Sequence, residues 1–132
     1  MVAPIEGGEM SKPRYATNPD KNHRVPIEYL RDRCGGFEDN KIGSIVVYSA
    51  NFRGYRMMLF DTHNIAGAFS DFLLQCADNN RMMWLECKTP EAYKKPKHDM
   101  TTGEEWLFAN VTNMRFIVED ADMEGVLMEL IF

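Results

Sequence analysis

Three charged residues stand at the ends of two adjoining apolar runs. Asp71 opens Phe72-Leu73-Leu74-Gln75-Cys76, and Glu86 and Lys88 close Met82-Met83-Trp84-Leu85-Glu86-Cys87. The runs are joined by Ala77-Asp78-Asn79-Asn80-Arg81, and because Asp and Asn tolerate turn conformations, the two runs read as a hairpin. Side chains two apart on a strand share a face, which groups Glu86 with Lys88. With the turn centred between Asn79 and Asn80, Asp71 stands opposite Lys88 and Leu73 opposite Glu86, and opposed residues also share a face. Two carboxylates and an ammonium then converge at one end of the hairpin, whereas a one-residue slip would turn Asp71 away. Two hard carboxylate oxygens suit Mg²⁺, which keeps several waters and takes few protein ligands. A metal-bound water beside a lysine is the apparatus of phosphodiester hydrolysis.

The elements that must hold these residues can be read from patterning. Residues 1–21 contain three prolines, two adjacent glycines and little apolar period, and read as an arm. A short helix follows, with Pro26 in its first turn, Ile27, Leu30 and Cys34 at helical spacing, and Gly35-Gly36 as its stop. Residues 42–50 and 55–60 read as strands with a turn at 51–54, and 61–70 as a loop leading to Asp71. Thr101 and Thr102 each precede a glutamate, Glu104 and Glu105, by three residues, a double capping-box pattern that opens a helix. Residues 114–118 read as a strand, and Met123, Val126, Leu127, Leu130 and Ile131 as the apolar stripe of a last helix capped by Asp120 or Asp122.

The chain of 132 residues is sized for one domain. At 45% hydrophobic and 27% charged it has the makings of a packed core, which excludes a disordered chain. No run approaches the roughly 18 apolar residues of a membrane span, and Met1 to Glu6 lacks the order of a signal peptide, so the reading is of a soluble, intracellular protein. Cys34, Cys76 and Cys87 form no CxxC pair and read as reduced thiols. The net charge of −5 argues against non-specific coating of nucleic acid, yet segments 12–33 and 88–98 each sum to +3 while 99–132 sums to −7.

The series Gly67-Ala68-Phe69-Ser70-Asp71-Phe72-Leu73-Leu74, a turn, then Trp84-Leu85-Glu86-Cys87-Lys88-Thr89 resembles the PD-(D/E)XK nuclease superfamily, with Ser70 where the motif usually has proline. Met100-Thr101-Thr102-Gly103-Glu104-Glu105-Trp106 is similar to the helix-opening segment of small viral and phage members in the VRR-Nuc and Holliday-junction-resolvase-like branches. Those proteins usually carry glutamine where this chain has Glu104. Arg115 to Asp120 with the helix behind it resembles their last strand and helix, so the likeness spans residues 22–132 at the level of element order.

That resemblance implies an α/β (α+β) fold, a restriction-endonuclease-like mixed β-sheet flanked by helices in the order α-β-β-β-α-β-α. It implies Asp71, Glu86 and the Cys87 backbone carbonyl as ligands of Mg²⁺ or Mn²⁺, and Lys88 as the catalytic lysine. Glu28, the one glutamate of the first helix, is the counterpart of an acid that many members add there. The implied activity is a metal-dependent deoxyribonuclease, an endonuclease acting on DNA with branched or junction forms as candidate substrates. Cutting two strands needs two sites, hence a homodimer.

Plainer readings compete. An Asp followed by ExK is short enough to arise by chance, its three charges then being strand-end ions of a surface salt bridge. Glu28 lies four after Arg24 and three before Arg31, where ordinary helix ion pairs form. Glu104 reads better as a cap than as a catalytic group. Lys94, Lys95, Lys97 and Arg24 read as phosphate contacts or as a solvated surface. His23, His63 and His98 show no metal-ligand spacing, the ten methionines read as adaptable core, and Trp84 and Trp106 as core. The competing function is a nuclease-fold protein that binds nucleic acid or a protein partner without cutting.

Overall fold

The computed structural model describes residues 22–63 and 70–132; the arm read at 1–21, and Gly67, Ala68 and Phe69 of the motif, lie outside them. Helix α1 (Arg24–Arg33) is followed by strands β1 (Gly35–Ile42), β2 (Ile45–Phe52), β3 (Tyr55–Asp61), β4 (Phe72–Cys76) and β5 (Met82–Cys87). Then come α2 (Pro90–Lys94), a short turn at Pro96–Asp99, α3 (Thr102–Asn110), β6 (Met114–Ile117) and α4 (Asp120–Ile131). All six strands form one sheet in chain order, antiparallel from β1 to β5, with β6 parallel to β5. A parallel neighbour requires a crossover, which α2 and α3 supply.

The mixed sheet flanked by helices is as expected, but five strands precede the crossover, where the resemblance implies three and the patterning reads four. The strand absent from the sequence reading is β1. Its residues are mostly polar and, apart from half-buried Phe37, exposed, so they carry no alternation of apolar and polar positions. Gly35-Gly36, read as a helix stop, also begins this strand at an irregularity between Gly35 and Glu38. Gly36 sits at φ 64°, and a Cβ there would come within 3.0 Å of the Asn51 side chain, so the bend needs glycine twice over. The turn read at 51–54 tightens to Arg53-Gly54, both at positive φ (52° and 87°), which matches a right-twisted hairpin.

Alternation along the central strands divides the sheet into two faces. One carries Met57, Leu59, Phe72, Leu74, Cys76, Met83, Leu85, Cys87 and Ile117, all buried. Against it pack Ile27 and Leu30 of α1 and Met123, Val126, Leu127 and Leu130 of α4. Arg33 and Asp120 join the two helices at 3.1 Å, and Asn22 Nδ2 donates to the Val118 carbonyl at 3.1 Å, tying the start of α1 to the end of β6. The opposite face is covered only in part: Phe108 of α3 stacks on Phe116 of β6 at 4.4 Å, while no residue of α3 is buried. Trp106 is 63% exposed, contrary to its reading as core, because it falls on the solvent side of this lightly attached helix. Four of the methionines, Met57, Met83, Met114 and Met123, do fill the core.

The cysteines are free. Cys76 and Cys87 are fully buried, and burial pushes the Cys34 thiol above its ordinary value, which leaves less thiolate to react. No helix among the described residues is long and apolar enough to cross a membrane.

Candidate active site

One end of the sheet gathers the C-terminal ends of β3, β5 and β6, the N-terminal end of β4 and the start of α1. Crevices at the carboxyl ends of parallel strands are a common place for ligands. The β4–β5 ladder pairs Phe72 with Leu85 and Leu73 with Trp84, a register two residues away from the one inferred from the turn. The loop is the cause: Cys76 and Arg81 still exchange a backbone bond at 2.9 Å, and Asn80 takes φ 62°, so the turn centres between Asp78 and Asn79. A shift of two preserves face, which is why the grouping of Asp71 with Glu86 and Lys88 survives it.

Asp71 is 6% exposed. Its N–H bonds to the Leu85 carbonyl at 3.1 Å, and its Oδ2 accepts from the Cys87 N–H at 2.7 Å, between Glu86 and Lys88. Its Oδ1 lies 2.9 Å from His23 Nε2. Glu86 and Lys88 are 1% and 2% exposed, with Lys88 Nζ 3.6 Å from Glu86 Oε2 and 3.6 Å from Glu104 Oε1. The ammonium also donates to the Asp99 carbonyl at 3.2 Å. That carbonyl is delivered by a turn in which Lys97, His98 and Asp99 all take left-handed φ of 56°, 54° and 58°, a conformation that stores strain in non-glycine residues. A buried cation between two carboxylates answers the desolvation penalty of each charge.

Glu104 therefore has two partners. It closes the capping box, its Oε1 accepting from the Thr101 N–H at 3.0 Å while its own N–H donates to Thr101 Oγ1 at 3.2 Å, and it faces Lys88. The second box, at Thr102 and Glu105, does not form, since Thr102 lies inside the helix. Thr101→Ala is expected to weaken the protein by about 1 kcal/mol through the lost cap, read by urea unfolding; no change would mean that the Lys88 pair alone holds Glu104.

The histidines were not read into this site, and two of them belong to it. His23, 3% exposed, stands at the residue before α1 with no side-chain bond to the helix backbone, beside Asp71, and stacks on His63 with ring centroids 4.5 Å apart. His63 Nδ1 bonds closely to buried Asp61. Two carboxylates thus bracket two stacked imidazoles. His23 is 48 residues from Asp71, so spacing could not reveal it; Asp61-Thr62-His63 at a strand end was the one local signal.

The remaining candidates fall elsewhere. Glu28 pairs with Arg24 at 3.9 Å on the outer side of α1, because a residue five after His23 lies well around the helix from it; the first helix contributes His23 to the site instead. Ser70 is buried and structural, its Oγ donating to the Phe72 carbonyl at 2.9 Å. Lys94, Lys95 and Lys97 are exposed, and two of them pair within the chain, Lys95 with Asp99 at 3.8 Å and Lys97 with Glu105 at 3.7 Å. His98 stacks on Tyr93 at 4.0 Å.

Compared with protein-family models, curated proteins and solved structures, the chain finds no match in any of the three.

Proposed function

We propose that the chain is a metal-dependent endonuclease of the PD-(D/E)XK type that hydrolyses DNA phosphodiesters. The observation that carries this reading is Lys88. A lysine ammonium almost wholly out of water, held against two carboxylates and a strand's length from neither, is an arrangement seldom kept for stability alone.

The donor set fits a hard divalent ion. A carboxylate oxygen can accept more than one contact, so Asp71 can offer a ligand oxygen, Glu86 adds a second carboxylate, and the Cys87 carbonyl lies on the same side of β5 as the N–H that meets Asp71. Among the described residues no three His, Cys, Asp or Glu side chains are spaced to hold a metal by themselves, so an ion such as Mg²⁺ or Mn²⁺ would have to take most of its ligands from water. When bound, that ion supplies an activated water and neutralises charge on the phosphate. Lys88 then orients the water or holds a phosphate oxygen, Asp71 is fixed by His23 and the Cys87 N–H, and Glu104 sets the position of the ammonium. Lys94, Lys95, Lys97 and Arg24 are the phosphate contacts in this reading, Lys95, Lys97 and Arg24 exchanging their present carboxylate partners for the DNA backbone. A homodimer provides the two sites that two-strand cleavage needs.

The test is cleavage of labelled single-stranded, duplex, flap and four-way-junction DNA, with matched RNA, in Mg²⁺ or Mn²⁺. Wild type is expected to cut at least one substrate, and Asp71→Asn and Glu86→Gln to lose both cutting and the thermal stabilisation that the metal confers. A second reading, a binding module without catalysis, is favoured by the fact that both oxygens of Asp71 are already engaged. Retained DNA binding with no cleavage and no metal-dependent stabilisation would establish it in place of the first.

A further inference from the structure

The sheet ends at β6, and that edge is open. Trp84 and Lys88 donate to the carbonyls of Asn113 and Ile117 at 2.9 and 3.0 Å, so these alternate residues serve β5 while Met114 and Phe116 turn their backbone groups outward. The Met114 carbonyl accepts from Arg115 Nη1 at 2.9 Å. Val118, just past the strand, is closed at both groups, its N–H by Asp122 at 2.9 Å and its carbonyl by Asn22 at 3.1 Å. The N–H and carbonyl of Phe116 meet no partner among the described residues.

A slot of about 500 Å³ runs beside those two groups, walled by Tyr93 and Phe108 on one face of the sheet and by Ala121, Gly125 and Val126 on the other. Gly125 sits in the middle of α4, where glycine costs about 1 kcal/mol relative to alanine. A Cβ there would meet nothing within 4 Å, so packing within the chain does not require the glycine; its smallness keeps the wall low where a side chain of an added strand would sit.

Charge decides the occupant. Helix α4 carries Asp120, Asp122, Glu124 and Glu129 and no basic residue; Arg33 offsets Asp120 at 3.1 Å and Arg115 offsets Glu129 at 2.7 Å, which leaves the charges of Asp122, on the slot wall, and Glu124 to be answered. Antiparallel pairing with a second copy would set two such acidic helices side by side on one face, where like charges repel. We propose that the slot takes an extended basic peptide segment as a seventh strand. Its backbone bonds to Phe116, an apolar side chain enters between Tyr93 and Phe108, and the alternate lysine or arginine faces α4. The proposal is independent of the nuclease reading.

Fluorescence anisotropy with a labelled heptapeptide, Lys-Val-Lys-Phe-Lys-Thr-Lys, tests it on the full chain. The peptide is expected to bind, and a version N-methylated at the positions facing β6 to bind at least about tenfold more weakly, since it cannot complete the edge bonds. A version with glutamate in place of each lysine should lose as much. Gly125→Leu fills the slot in open space and is expected to keep the wild-type circular dichroism and to melt no lower than wild type while losing the peptide. Three results would each overturn the proposal: no binding of the lysine peptide, equal binding of the N-methylated peptide, or binding untouched by Gly125→Leu. So would a wild-type dimer that Gly125→Leu dissociates, because the edge would then belong to a second copy.

Discussion

Lys88→Met is expected to cost about 3–5 kcal/mol of stability, the loss typical when one member of a buried ion pair is removed and its partner is left charged and dry. Glu86 is 1% exposed and cannot recover water without opening the sheet. Glu104, with a side chain 20% exposed, is better placed to rehydrate. The double variant Lys88→Met/Glu86→Leu is expected to regain most of that stability, because apolar residues of similar volume often replace a buried pair without penalty. Urea unfolding of the two single variants and the double variant gives the coupling between them. Under the proposed function the stable double variant remains inactive on every DNA substrate, which separates the chemical role of the pair from its structural one. A single variant as stable as wild type would mean that the ammonium is not what offsets the Glu86 charge. Cleavage by the double variant would remove Lys88 and Glu86 from the chemistry.

Phe72→Ala is expected to cost about 3–5 kcal/mol, the range for emptying an aromatic side chain from a close-packed core. The ring is fully buried at the point where β4 meets both neighbours, opposite Asp61 on β3 and Leu85 on β5. It also stands edge-on to His23, with centroids 6.1 Å apart, so its loss loosens the imidazole that holds Asp71. Phe72→Leu keeps most of the volume and is expected to cost under about 1.5 kcal/mol. Equilibrium unfolding of both variants checks the pair, and equal losses would mean that the ring's contact with His23, which both variants remove, and not the cavity, sets the scale.

The sequence told most where a local rule decides the structure. The Thr101 cap, the Gly35 boundary of α1, the apolar runs of β4 and β5 and the stripe of α4 all follow from periodicity or from a side chain that satisfies its own backbone. The face shared by Glu86 and Lys88 was legible for the same reason. What escaped depended on the rest of the molecule. Strand β1 is held by β2 through backbone bonds that leave its side chains, Phe37 apart, in water, so no apolar period marks it. The β4–β5 register rested on the exact centre of a loop in which four adjoining residues could each take the turn. His23 enters the site because α1 is anchored at Val118, a contact between distant parts of the chain that no spacing rule contains. Glu28, by contrast, was placed by analogy with other proteins, and its ion pair with Arg24 is the ordinary helix outcome.

The order of strands in the sheet is also a statement about how the molecule assembles and comes apart. Because each strand from β1 to β5 neighbours the next in the chain, the meander can zip up as successive hairpins with little loop entropy to overcome. The contacts of α1 are of another kind: Asn22 with Val118, Arg33 with Asp120 and His23 with Asp71 join residues 96, 87 and 48 apart. They form only when the two ends of the chain meet, so the closure that completes the acid cluster belongs late in folding. By the same topology α1 can detach as a unit while β5 keeps Glu86 and Lys88 in place, which makes the first helix the natural hinge of any partial opening at this end of the sheet.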